Sequence, residues 1–129
     1  MSFTHKVGVT FSTDAGTITS TVDSYSVDSE VNLDESVPSA STNKEYDVSL
    51  KAADIKTLCI YCDHDATIKT NSTGAPVDTL NLLAKKQVIW TVDHLEACPI
   101  TADVTKLYVT MAAGVAAALK IRVGLAVGV

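Results

Sequence analysis

Apolar and polar positions alternate with period two along most of this chain, the pattern of strands with one buried face. Phe3, His5, Val7, Val9 and Phe11 alternate with Thr4, Lys6, Gly8 and Thr10 and predict a first strand. Asp14-Ala15-Gly16 reads as a turn. Ile18, Ser20 and Val22 then alternate, while Tyr25, Val27, Ser29, Val31 and Leu33 continue in the opposite phase. A phase change inside one run predicts a bulge or a bend. Asp34–Asn43 holds Pro38 with Ser36, Ser39, Ser41 and Thr42 and reads as a long loop.

Tyr46, Val48 and Leu50 predict the next strand. Leu58–Cys62 is a nearly continuous apolar run, expected of a strand covered on both faces. Alternation resumes at Ala66, Ile68 and Thr70, and Asn71–Pro76 reads as a polar turn. Further runs lie at Leu80–Ala84, at Val88–Val92 around Trp90, and at Leu107–Met111, followed by a turn at Ala112-Ala113-Gly114. Leu119, Ile121, Val123, Leu125 and Val127 make the clearest strand, against Lys120, Arg122, Gly124, Ala126 and Gly128. Helices over Asp78–Lys86 and Gly114–Arg122 stay open as alternatives. The whole predicts an all-β, single-domain antiparallel β-sandwich of about eight to nine strands, with a jelly roll or barrel as close relatives. The first third, 1–45, is expected to form either an arm or the first strands packing on 46–129.

Composition sharpens this. Val, Ile and Thr supply 16, 7 and 16 of the 129 residues, so the apolar mass is β-branched and aliphatic. The net charge is −5, with nine lysines and one arginine, Arg122. Val7–Asn43 carries six acidic residues and neither Lys nor Arg. This balance argues against nucleic acid as a partner and against an anionic membrane surface. The opening Met1–Lys6 runs directly into alternating residues, and three cysteines are an odd number; both predict synthesis in a reducing cytoplasm.

Candidate chemistry is sparse. Cys59-Ile60-Tyr61-Cys62 has metal-knuckle spacing, but on a strand two residues three apart point to opposite faces. The sharper metal alternative is a tetrahedral set of Cys62, His64, His94 and Cys98; against it stand buried structural cysteines and turn histidines, and zinc is expected not to be required. Asp63, Asp65 and Asp93 are candidates for a carboxylate pair or a calcium site, or for caps on local backbone. Trp90 with Tyr61 or Tyr108 is a candidate sugar-stacking platform, or core. No G-x-S-x-G, Walker A or H-E-x-x-H pattern occurs, so no catalytic residue is assigned and no cofactor is expected.

From Asp54 to Val129 the chain resembles small β-sandwich capsid decoration (cement) proteins of tailed bacteriophages. Asp65–Asn71 (D-A-T-I-K-T-N), Pro76-Val77-Asp78-Thr79, Trp90 and Asp103–Thr110 carry the resemblance. The three cysteines depart from it. The resemblance implies a jelly-roll-like module on the outside of an icosahedral shell, often a homotrimer, with the major capsid protein as partner. Gly124, Ala126 and Gly128, the small-residue face of the last strand, are the candidate subunit contact, against an ordinary strand packed within its own sandwich. A receptor- or carbohydrate-binding module of a virion fibre and a zinc-stabilised domain are the competing readings.

Overall fold

The computed structural model describes residues 2–19, 21–111 and 116–126. Twelve strands occur among them: β1 (Phe3–Val7), β2 (Thr10–Thr13), β3 (Gly16–Thr19), β4 (Asp23–Val27), β5 (Ser29–Val37), β6 (Lys44–Leu50), β7 (Ile55–Cys62), β8 (Ala66–Thr70), β9 (Thr79–Leu82), β10 (Val88–Thr91), β11 (Val104–Met111) and β12 (Ala117–Leu125). One 3-10 turn, Ala52–Asp54, precedes β7.

Eight of these strands form two four-stranded antiparallel sheets, ordered β10-β7-β12-β5 and β6-β11-β8-β9. From β5 onward the chain crosses between the sheets at every step except β8 to β9. That alternation and those two orders are the jelly-roll topology, two four-stranded sheets of an eight-strand sandwich. The expected count of eight to nine included the N-terminal runs and falls short of the twelve strands found, because four N-terminal strands lie outside the sandwich. They form two two-stranded sheets, β1-β4 and β2-β3.

The core is built by the period-two alternation. Leu119, Ile121 and Val123 of β12 and Leu58, Ile60 and Cys62 of β7 face inward from one sheet. Ile68 of β8 and Leu107, Val109 and Met111 of β11 meet them from the other. Strand β12 lies between β5 and β7, pairing with β5 from Ala117↔Val37 to Leu125↔Ser29 and with β7 from Leu119↔Cys62 to Leu125↔Ile55. This pairing explains why both helical alternatives fail: 117–122 is the central strand, and 79–82 pairs with β8. Residues 114 and 115, like the predicted turn at 112–114, lie outside the described residues.

Three further expectations are corrected. The predicted strand from Phe3 to Phe11 is two strands, because the chain breaks at Gly8, where a Cβ would lie 2.9 Å from the Val22 side chain. The phase change near Tyr25 is not a bulge. Strand β3 ends at Thr19, β4 starts at Asp23, and Asp28 separates β4 from β5 by donating its N–H to the Leu125 carbonyl at 2.9 Å. The loop predicted from Asp34 starts only after Val37, since pairing with β12 keeps Asp34–Val37 extended. The remaining loop turns through left-handed backbone at Ala40 and Asn43, with φ of 57° and 50°.

The ribbon of β1 and β4 lies over the outer face of the β10-β7-β12-β5 sheet. Val27 is fully buried there, and Gly124 leaves the room: a Cβ on it would lie 2.8 Å from Val27 Cγ1 and 2.9 Å from His5 Cε1. Replacing Gly124 by Val is expected to destabilise the fold by about 1–3 kcal/mol through overpacking. A lower denaturation midpoint together with lost amide protection in β1 and β4 would show the ribbon lifting; unchanged protection would refute this docking.

Candidate functional site

The junction between ribbon and sheet holds the densest polar constellation. His5 occupies an inward position of β1, between Phe3 and Val7 in the apolar phase, and a polar ring placed there must find partners. Its Nδ1 lies 2.6 Å from Thr57 Oγ1 and its Nε2 lies 2.5 Å from Glu30 Oε2. Thr57 is 3 % exposed, on the outward phase of β7 beneath the ribbon. With the Nε2 proton directed at Glu30, Nδ1 accepts from the Thr57 hydroxyl; with both nitrogens protonated, both donate.

Hydroxyl, imidazole and carboxylate stand here in the order that hydrolases use for nucleophile activation. Thr57 Oγ1, however, points at Gly124 and His5 under the docked ribbon. The trio forms a clasp that joins β1, β5 and β7. All three residues line a cleft of about 500 Å³, together with Cys59, Ile89 and Arg122 among others. Arg122 is already engaged: Nη2 donates to both Asp34 oxygens at 2.9 Å, and Nη1 donates to the Ile121 carbonyl at 3.0 Å.

A second cluster ties the ribbon through β4, where Tyr25 is the cross-strand partner of His5. The Tyr25 hydroxyl lies 3.2 Å from Thr91 Oγ1 and 3.1 Å from Asp93 Oδ2. His94 Nδ1 accepts the Thr91 N–H at 3.0 Å and is occupied by that contact. Neither His5 nor Tyr25 was a candidate from the sequence. The readable signal for His5 was its place in an otherwise apolar phase.

The alternative metal set of Cys62, His64, His94 and Cys98 does not assemble. Cys62 is fully buried and faces the core beside Leu119, while His94 packs on Thr91, whose strand partner is Thr57. Thr57 and Cys62 stand five positions apart on β7, about 17 Å in an extended strand. His64 bonds Asp63 at 2.9 Å, and Cys98 packs against the core. Among the described residues no group of three or more His, Cys, Asp and Glu could hold a metal ion. Cys59 faces outward and Cys62 inward, the strand geometry that divides a C-x-x-C pair.

Asp63 and Asp65 cap backbone that is distant in sequence rather than local, and Asp93 accepts from the Tyr25 hydroxyl. Asp63 Oδ1 accepts the Ala118 N–H at 2.8 Å, and Asp65 Oδ1 accepts the Ala84 N–H at 2.8 Å. Asp93 belongs to the opposite end of β7, with Thr91 and Thr57. The aromatic platform is likewise dispersed. Trp90 packs against the core and donates Nε1–H to the Glu96 carbonyl at 2.9 Å, Tyr61 lies on the outer phase of β7, and Tyr108 on that of β11. Of the small-residue contact, Gly124 is covered by the chain's own ribbon, half-buried Ala126 donates its N–H to the Asp54 carbonyl at 2.8 Å, and Gly128 lies outside the described residues. At Gly124 the small side chain thus serves intramolecular packing.

The His64 hydrogen bond, with the Ala118 amide behind it, holds the Asp63 carboxyl below its ordinary range. A depressed folded value stabilises above the unfolded one, about pH 4, and that stabilisation fades as pH falls through the folded value. The stability gap between the wild type and Asp63→Asn is therefore expected to narrow between about pH 6 and about pH 3 in urea titrations; a constant gap would refute the assignment. Burial raises the thiols of Cys59, Cys62 and Cys98, with Arg122 opposing it at Cys59. All three are expected to react slowly with a disulfide reagent at neutral pH in the native protein, Cys62 slowest, and rapidly after denaturation.

Comparison with protein families, with curated proteins and with solved structures finds no match to this chain.

Proposed function

We propose that this protein is a non-enzymatic structural component of a phage virion that binds the outside of the icosahedral shell and stabilises it. The observation that carries this reading is the strand order. Two sheets ordered β10-β7-β12-β5 and β6-β11-β8-β9 form the jelly roll, and by fold analogy this is an architecture used repeatedly by viral capsid proteins. The resemblance of Asp54–Val129 to decoration proteins points the same way. Exposed apolar side chains at Phe11, Ile18 and Val22, 63 %, 75 % and 61 % exposed, support a protein whose work is contact. The acidic balance favours the outer surface of a shell over its DNA-filled interior.

In this reading the partner is the major capsid protein, the copies act as homotrimers on the lattice, and the chain is made in the host bacterial cytoplasm. A ligand that binds only the assembled shell stabilises it by mass action, and repetition over a lattice adds avidity without a large interface per copy. Jelly rolls also serve as lectins, but Trp90, Tyr61 and Tyr108 lie on different surfaces, which leaves the decoration reading the better supported. Particles carrying the protein are expected to release their DNA at a higher temperature than particles lacking it. Coincident release curves, or a hydrolytic activity that copurifies with the protein, would overturn the proposal.

A further inference from the structure

The ribbon of β1 and β4 is fastened to the sandwich through side chains. Among the described residues, β1 and β4 pair only with each other, and no backbone hydrogen bond joins either of them to a sandwich strand. Four of the five hydrogen bonds that hold the two strands down run through one cross-strand pair, His5↔Tyr25: His5 reaches Thr57 and Glu30, and Tyr25 reaches Thr91 and Asp93. The fifth runs from Lys56 Nζ to the Ser26 carbonyl at 3.2 Å. Val27 and Tyr25 are the buried apolar residues of the ribbon, and neither belongs to the core cluster of the sandwich. The described chain passes from ribbon to sandwich once, at Asp28, whose N–H is held by the Leu125 carbonyl. The ribbon is also a wall of the cleft beside the clasp: His5, Lys6 and Val7 line it from the ribbon, and Thr57, Cys59 and Arg122 from the sheet.

We propose that the β1–β4 ribbon is a hinged lid. It swings off the β10-β7-β12-β5 sheet as one unit while the sandwich stays folded, turning at Asp28 and latched by the His5–Tyr25 pair. Opening uncovers Thr57 and Cys59 and removes one wall of the cleft. Proteins open in cooperative units, and each unit opens at a free energy set by the contacts it alone must break. Lifting the ribbon breaks the contacts of one residue pair, the Lys56 bond and the burial of Val27 and Tyr25. Extracting β12 or β11 breaks a backbone ladder on each side and opens the core. The ladder between β1 and β4, from Phe3↔Val27 to Val7↔Asp23, keeps the lid intact while it moves. A hinge needs only a few residues at the end of an element, and Asp28 between β4 and β5 supplies one. The inference does not depend on the function proposed above.

The test is native-state amide exchange of the full chain, read residue by residue in low denaturant. Amides of β1 and β4 are expected to share one opening constant, at least a hundredfold larger than that of β8, β11 and β12, with a much weaker dependence on denaturant. Equal protection in the ribbon and the sandwich would overturn the proposal. Two substitutions then separate lid opening from global unfolding. Ile68→Val, in the core of the far sheet, is expected to speed exchange in the sandwich by about fivefold and to leave the ribbon amides unchanged, because the open-lid state keeps that core. A matching rise in the ribbon would mean that it opens only with the whole fold and would overturn the lid. Tyr25→Phe keeps the ring and removes two hydrogen bonds, and it is expected to speed exchange in β1 and β4 by about tenfold. An unchanged ribbon would overturn the latch. In the same variant the reaction of Cys59 with a disulfide reagent is expected to accelerate in step with the ribbon amides, with Cys98 as the internal reference; an unmoved Cys59 would overturn the gating of the cleft.

Discussion

The sandwich depends on the placement of β12. It is the interior strand that joins β5 to β7, and its inward residues Leu119, Ile121 and Val123 sit in the middle of the core. Its partners on one side, 29–37, are about ninety positions away in sequence, so loop-closure entropy must be overcome before that ladder forms. Folding of this topology is therefore dominated by non-local contacts and is expected to belong to the slow range of small domains.

The outer face of the same sheet depends on β12 in a different way. Gly124 gives the ribbon room to descend, and the clasp of His5, Thr57 and Glu30 satisfies the polar groups that this descent buries. The arrangement converts a sheet face that would otherwise meet solvent into a second, smaller buried layer containing Val27 and Tyr25. No buried side-chain nitrogen or oxygen among the described residues is left without a partner.

One edge of each sheet is guarded by charge. Strand β5 is an edge, and Glu35 occupies the inward phase of it, opposite Leu119; an inward charge on an edge discourages another strand from adding there. The Tyr46 hydroxyl on the facing sheet has its pKa raised by burial and, secondarily, by the charge of Glu35. On the edge strand β6, Glu45 and Asp47 hold Lys106 of β11, and both contacts raise its pKa.

Much of the fold was legible in the chain itself. Period-two alternation reads directly as strands with one wet face, and β-branched composition agrees with it, so the all-β class and the inward set of β7, β8, β11 and β12 follow from local pattern. The split orientation of Cys59 and Cys62 follows too, because side-chain direction on a strand is a local property. What the alternation could not convey was where a run stops. The breaks at Gly8 and Asp28 and the extension of β5 to Val37 depend on Val22, Leu125 and the β12 ladder, all distant in sequence. The candidate sites suffered from the same limit. Cys62, His64, His94 and Cys98 have suitable chemistry, but sheet order alone decided that Cys62 and His94 stand at opposite ends of β7. His5, Glu30 and Thr57 look unrelated in the sequence and meet only because β1, β5 and β7 converge over Gly124. Side-chain chemistry and strand phase are local; proximity between strands is not, and the tertiary structure alone supplied it.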